Sequence, residues 1–461
     1  MRLFYSACCA IAMAWQLPAA QPADWIVTGR YVITMDAKHT VLEPGAVAFA
    51  GSRIVAVGKP DDIGRRFTAK HTLNRLDAVI APGLIDTHTH APMSLFRAIA
   101  DDMRLEDWLK NFIFPAESKN VSADFVRWGT RLACLEMTLA GITTYTDMYY
   151  FEETEAEAAK EAGVRGVLGE TIIGFPSPDH KDWREALSAT ETFIQRFRTD
   201  DLIVPAVAPH AIYTTPDEAL VASRALASKY RVPLLIHVSE TKKERDDALA
   251  ARHATSVEIL ERLGLLSDRV VAAHCVWVNE TDLQILKRRK VGVAHCPSSN
   301  MKLASGIAPV TKMLAMGINV GLGNDGFAGS NDTADLIQEM NIAAKLQKVT
   351  IMDPRVLPAE QTFEMATLGG ARVLGMEREI GSIEDGKRAD LITISLAHPN
   401  SVPLYHLFSQ LAYSTKAGDV EDVFINGRQI VSDRRSVTLN ESEIYEKAEE
   451  YRTRIVRSLR Q

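Results

Sequence analysis

Eight short runs rich in Val, Ile, Ala and Thr, each followed by a longer helix-compatible stretch, fill the span from residue 81 to 375, and this alternation leaves few folds open. Apolar β-branched runs separated by helices build a parallel sheet covered by those helices. Eight such units close on themselves, so the expectation is an α/β protein with a (β/α)8 TIM-type barrel. The runs are read as ending at His88–His90, at Asp147 after Thr143-Thr-Tyr-Thr, at Thr171, at His210, at His237–Glu240, at His274, at His295–Pro297 and at Asp325.

The flanks read differently. From residue 24 to 80 short β-rich runs (Trp25-Ile-Val-Thr, Tyr31-Val-Ile-Thr-Met, Ala46-Val-Ala-Phe-Ala, Arg53-Ile-Val-Ala-Val) alternate with Gly and Asp turns. Similar runs return between 376 and 440, at Gly381-Ser-Ile-Glu-Asp-Gly-Lys, Asp390-Leu-Ile-Thr-Ile and Asp422-Val-Phe-Ile-Asn-Gly. A sheet begun at one end and resumed at the other predicts a small antiparallel β-sandwich formed from both chain ends. An amphipathic helix follows over 441–461, capped by Asn440 with Glu443 three positions on and Ile444, Ala448, Tyr451 and Ile455 on one face.

Residues 1–23 have the layout of a secretory signal peptide: Arg2, the apolar run Leu3 to Trp15, then Pro18, Ala19, Ala20, Pro22 and Ala23. This predicts export to the periplasm or medium; without a functional leader the protein stays in the cytoplasm. No run is long enough for a membrane span. With a net charge of -7 there is no basic surplus of the kind nucleic-acid binding needs. Three of the five cysteines lie beyond the leader, at Cys134, Cys275 and Cys296, too few and too scattered for a disulfide framework. Homo-oligomer formation is left open.

In a barrel of this type the chemistry sits where the strands end. Six of the 12 histidines, His88, His90, His210, His237, His274 and His295, fall at expected strand ends. Residues i and i+2 of a strand project to one side, so His88 and His90 can face the same ion. Alone, a His-x-His pair is equally two core histidines bonded to backbone. Joined by His237 and Asp325 on later strand ends it becomes a ligand set for one divalent metal, zinc or else iron(II), with a position open for water. The fourth strand ends in Pro209-His210 rather than in a lysine that could bridge two ions, which argues for one. Glu240, three residues after His237, is placed to exchange a proton with the activated water, and His274 to orient or polarise it. His295 is read as packing. Gly321-Leu-Gly-Asn-Asp-Gly326 matches a dinucleotide fingerprint but closes the eighth strand, and His295-Cys-Pro lacks the second cysteine pair of base-editing deaminases.

These residues resemble the amidohydrolase superfamily, in particular its branch of S-adenosylhomocysteine/5′-methylthioadenosine deaminases and triazine hydrolases. The matching stretches are Pro82-Gly-Leu-Ile-Asp-Thr-His-Thr-His90, Trp108 to Glu117, Asp147-Met-Tyr, Ala208-Pro-His210, His237-Val-Ser-Glu240, His274-Cys, His295 to Pro309 and Gly323-Asn-Asp-Gly326. The resemblance implies that His88, His90, His237 and Asp325 bind one metal and that Glu240, His274 and Asp325 handle protons while water replaces an amino group on a heterocycle. It further implies that Trp108 and Glu117 face the ribose and His210 the purine of an adenosine-type substrate. The residues by themselves leave other roles open: Trp108 packing with Leu105 and Phe112, Glu117 capping a turn after Pro115, His210 structural.

The sequence departs from the branch at two points. After the third strand it reads Gly169-Glu-Thr-Ile-Ile-Gly-Phe-Pro-Ser-Pro178, without an arginine for a homocysteine carboxylate, and only Arg184 further on is a candidate for such a contact. The loop Phe327-Ala-Gly-Ser330 is one residue longer than in the branch. The expected substrate is therefore a small-molecule amino-heterocycle, foremost a purine nucleoside such as adenosine, 5′-methylthioadenosine or S-adenosylhomocysteine. Hydrolytic removal of chloride or an alkylamine from a triazine-like ring, and deamination of a free base or pterin, are the alternatives.

Overall fold

The computed structural model describes residues 20–460; the expected leader lies outside the described residues as far as residue 19. Eight parallel strands form the central barrel: β1 (Leu84–His90), β2 (Ile142–Tyr149), β3 (Arg165–Ile172), β4 (Ile203–Pro209), β5 (Leu234–Val238), β6 (Val270–His274), β7 (Gly292–His295) and β8 (Val320–Leu322). Each pairs with the next in sequence, and the short continuation Asp325–Gly326 beyond β8 pairs with Thr89–His90 of β1, which closes the ring. β8 is interrupted at Gly323, where a Cβ would press on His88 and the Cys296 sulfur, so glycine lets the chain pass this close to β1 without displacing them.

The strands read as almost continuous apolar runs because both their faces are covered. Ile85, Val167, Ala206, Leu235, Val271 and Ala294 fill the barrel interior, closed from below by Ala371 and Val373. Leu168, Ile172, Val207, Leu234 and Ile236 pack outward against helices, including Ala123–Leu139 and Trp183–Phe197. Side chains set the helix starts: Ser122 accepts from Phe125 N, Asp182 from Arg184 N and Glu185 N, and Thr255 and Glu258 form a reciprocal capping box. The final helix, Glu441–Leu459, is capped by Asn440 and buries Ile444, Tyr451 and Ile455.

The chain ends build a second sheet of nine strands. Trp25 to Ile33, expected as two runs, belong to one long strand, Gln21–Ile33, with an irregularity between Gly29 and Tyr31. It pairs in parallel with Phe67–Pro82, a strand that charged and polar residues such as Lys70, Asn74 and Arg75 hide from pattern reading. Phe67–Pro82 then joins Leu391–Ser395 antiparallel, bringing the two chain ends together. Phe49 and Phe424 stand on strands separated by three others in the sheet order, yet their rings meet at 5.4 Å. A flat sheet with about 4.8 Å between strands would hold them far apart, so this one curls into a sandwich. The run at Gly381 to Lys387 is a turn rather than the expected strand: its amides bond singly, Ile383 N to Thr34 O and Gly386 N to Ile54 O. Among the described residues no helix is long and apolar enough to cross a membrane.

Candidate active site

Above the strand ends four side chains converge. His88 and His90 project from β1 and His237 from β5, and a ring nitrogen from each lies within 4.8 Å of the others. His237 Nε2 is 3.3 Å from His90 Nε2, and Asp325 Oδ1 is 3.4 Å from His88 Nε2 and 3.5 Å from His90 Nε2. Nε2 of His88 is buried without a hydrogen-bond partner. A buried orphan nitrogen among two further imidazoles and a carboxylate is what a divalent metal site looks like from the protein side.

The outer contacts fix how these groups present themselves. The Nδ1 of His90 lies 2.8 Å from the Met148 carbonyl and that of His237 2.9 Å from the His210 carbonyl, so both rings donate outward and leave Nε2 free. Burial holds the His88 imidazole down at about 4, and lowers His90 and His237 too, so all three are neutral donors at neutral pH. Burial works against the Asp325 carboxylate, but the His88, His274 and His90 imidazoles outweigh it and hold its carboxyl well below the usual range. Ser299 donates to its other oxygen. Asp86 accepts from the backbone amides of His88 (3.2 Å) and Asn324 (3.1 Å), tying the β1 ligand pair to the loop that carries Asp325.

Glu240 and His274 stand beside this group. His274 Nε2 lies 3.9 Å from Glu240 Oε2, and His274 Nδ1 is held by Asn300 Oδ1 at 3.0 Å. His274 has a positive φ of 73°, as does Asp325 at 67°, a backbone seldom adopted outside glycine and concentrated at functional sites. The Glu240 carboxyl is pushed well up by burial and by the charge of Asp325.

His90, His237, Glu240, His274 and Asp325 line one pocket above the strand ends. Trp108 and Glu117 line it from the helical segment that follows β1, built from Leu105–Trp108, a wide turn Leu109–Ile113 and Phe114–Asn120. Trp108 does more than pack with Leu105: its indole NH donates to Ala328 O at 2.9 Å, joining this segment to the loop after Asp325, while Phe112 faces solvent. Glu117 is buried and accepts from the Tyr149 hydroxyl at 2.8 Å; burial pushes its carboxyl up to about 8 against the pull of Tyr149 and Tyr150. His210 lies along the pocket wall, with its ring 4.7 Å from that of His237 and Nδ1 2.8 Å from Thr214 Oγ1.

Two histidine and arginine positions stand apart. His295 is fully buried, does not line the pocket, and has both ring nitrogens unpartnered, its imidazole held near 3 by burial. Arg184, expected as a carboxylate contact, lies on the exposed start of Trp183–Phe197, where its guanidinium covers the Trp183 ring at 4.2 Å and faces Glu218 at 3.5 Å. The Trp183 ring and Glu218 keep it on the outer surface, away from the pocket. Sequence reading gave no site role to Tyr149, Tyr150, Thr171, Asn300 and Ser299, although Tyr149 ends the matched Asp147-Met-Tyr stretch, Ser299 and Asn300 lie within His295–Pro309, and Thr171 stands at an expected strand end.

The chain is 44% identical over 438 residues, 95% of its length and 99% of the relative's, to 5-methylthioadenosine/S-adenosylhomocysteine deaminase 1 of Syntrophus aciditrophicus. Its structure matches a zinc-bound adenosine deaminase from Xanthomonas campestris with a TM-score of 0.93 at 37% identity, over 95% of this chain and 99% of that one. Atrazine chlorohydrolase from Arthrobacter aurescens, complexed with zinc, aligns with a TM-score of 0.86 at 25% identity over 93% and 99%. The model of the amidohydrolase family matches residues 79–430, and the chain belongs to that family.

Proposed function

We propose that this protein is a hydrolytic deaminase of adenosine-like nucleosides, with a single zinc ion held by His88, His90, His237 and Asp325. The observation that carries the reading is the convergence of three neutral imidazole nitrogens and one carboxylate oxygen on one point beside a pocket that Glu117 also lines. The deaminase names of the relatives support it. When bound, the ion supplies Lewis acidity that makes water a nucleophile near neutral pH.

The chain's own residues supply the rest. Hydrolysis joins the oxygen of water to the ring carbon bearing the amino group and expels ammonia. Glu240 accepts a proton at a carboxylate oxygen and delivers it to the heterocycle, a transfer that suits a carboxyl whose affinity for protons burial has raised. His274, fixed through Nδ1 by Asn300, presents Nε2 to the same space and steadies the developing charge. Glu117 meets the ribose hydroxyls, Trp108 walls the sugar side, and His210 contacts the base.

Among the residues lining the pocket there is no lysine or arginine, and Leu105, Leu109, Ile113 and Phe114 make one side apolar. This favours adenosine and 5′-methylthioadenosine over S-adenosylhomocysteine, whose tail carboxylate finds no lysine or arginine there. Ammonia release over a panel of adenosine derivatives, free bases and pterins tests the reading: activity on nucleosides supports it, and silence across the panel with zinc-loaded protein overturns it. Chloride release from a chlorotriazine is the outcome that shifts the reading to the chemistry named for the Arthrobacter relative. We also propose export, on the layout of residues 1–23; a mature N-terminus starting near Asp24 in a periplasmic fraction is the expected result.

A further inference from the structure

Behind β2, away from the barrel axis, lies a group of buried carboxylates. Asp147 at the end of β2 and Glu152 and Glu155 on the helix Glu152–Ala162 each place an oxygen within 4.8 Å of the others. Their side chains are buried, at 0%, 1% and 0% exposure. Asp147 accepts from Thr89 Oγ1 at 2.6 Å and from the Ala91 amide, and Glu155 from the Tyr145 hydroxyl at 2.9 Å. Glu152 is the exception: both of its carboxylate oxygens are buried without any partner, whereas the Asp147 and Glu155 carboxyls face each other at hydrogen-bond range. Glu170 adjoins from β3, with one oxygen accepting from the Glu152 amide at 3.2 Å and the other unpartnered. Among the described residues no lysine or arginine pairs with Asp147, Glu152 or Glu155, while His180 Nε2 lies 3.9 Å from Glu170 Oε1.

Three carboxylates brought together out of water repel one another and lose their hydration; either protons or a cation must offset that. Protons shared within the group would satisfy Asp147 and Glu155 but leave Glu152, with two bare buried oxygens, without a reason to be carboxylate rather than amide or alkyl. Oxygen-only donors, several of them anionic and able to bind through both oxygens, are the chemistry of hard cations, and calcium accepts 6–8 such oxygens in irregular cages where magnesium keeps its waters. We propose that Asp147, Glu152 and Glu155, with Glu170 alongside, form a second, non-catalytic cation site selective for calcium over magnesium. The site ties β2 to the following helix. Through Asp147, which holds Thr89 and Ala91 on either side of His90, it also stiffens the strand end that presents the imidazoles.

The test uses the zinc-loaded full chain, cleared of calcium with a chelator that leaves zinc in place, and titrated with terbium, calcium and magnesium. Terbium emission excited through Tyr145, which touches Glu155, is expected to saturate at about one equivalent and to be displaced by calcium. Calcium should raise the unfolding midpoint by a few degrees with zinc content unchanged, and magnesium should not. Glu152→Gln should weaken calcium binding at least tenfold and abolish the midpoint shift while retaining zinc. Indifference of the wild-type midpoint to calcium, together with no stoichiometric terbium emission, overturns the proposal in favour of shared protons. If the variant does not fold, anomalous scattering from terbium in wild-type crystals decides: a peak between Asp147, Glu152 and Glu155 upholds the site, and its absence there refutes it.

Discussion

Nε2 of His88 stands 3.4 Å from Oδ1 of Asp325, so the first strand of the barrel and the continuation of the last meet at the same point. The barrel closes where the metal would be gripped. Removing one of these groups should therefore cost metal before it costs fold. For His88→Ala we expect zinc affinity to fall by more than about 100-fold, beyond what losing an outer partner of a ligand costs. Zinc content by elemental analysis, with circular dichroism as the control for folding, checks it; a variant that keeps stoichiometric zinc would remove His88 from the ligand set.

Glu240 separates proton transfer from binding. Glu240→Gln keeps the size and loses the exchangeable proton, so kcat should drop by about 10²–10⁴-fold while zinc content stays constant. Steady-state kinetics on adenosine with parallel zinc analysis is the measurement, and a kcat within tenfold of wild type would reject the assignment.

Glu117 predicts a pH dependence whose sign follows from its burial. Its carboxyl is raised from 4.5 to about 8, so the folded protein retains a proton there that the unfolded chain has lost. Stability from this group is complete below pH 4.5 and declines as pH rises towards about 8. Glu117→Gln should flatten that part of the stability profile. In catalysis the charged carboxylate is the better acceptor for sugar hydroxyls, so KM for adenosine should fall as pH rises through about 8 in the wild type and not in the variant. Free bases, which lack the sugar, should show neither effect.

The loop after Asp325 depends on Gly329. Its φ is +111°, and a Cβ there would collide with the Ala100 carbonyl oxygen beside the Trp108 indole. Gly329→Ala should cost about 1–3 kcal/mol in stability and raise KM roughly tenfold, because Trp108 loses its seat on Ala328 O. Trp108→Phe, which removes the indole NH and keeps a ring, should reproduce the KM change with a smaller loss of stability. A Gly329→Ala enzyme with unaltered KM would show that the two loops act independently.

Arg184 serves as the contrast. Its side chain is 64% exposed and pairs with Glu218 and Trp183. Arg184→Ala should change kcat/KM by less than about twofold for adenosine and for S-adenosylhomocysteine alike. A selective loss with the latter would mean that the helix start closes over the substrate.

The sequence by itself determined the barrel and the set of groups at its rim. Strand residues have a fixed period, so a histidine pair spaced by two at a strand end, with His237 and Asp325 at later ends, can be placed without coordinates once eight units are counted. It also determined the cap of the last helix, since Asn440 and Glu443 act within one turn. The tertiary structure alone decided what depends on contacts between distant segments. Phe67–Pro82 is a strand because Gln21–Ile33 and Leu391–Ser395 flank it, whatever its own polarity suggests. Trp108 is fixed by Ala328 and Glu117 by Tyr149, and Arg184 is kept outside by Trp183 and Glu218. The carboxylates of Asp147, Glu152 and Glu155, ordinary charges in the sequence, become a buried group only when the helix docks on β2. Local periodicity is written in the order of residues; desolvation and loop-to-loop contact are not, because they are set by which segments the closed barrel brings together.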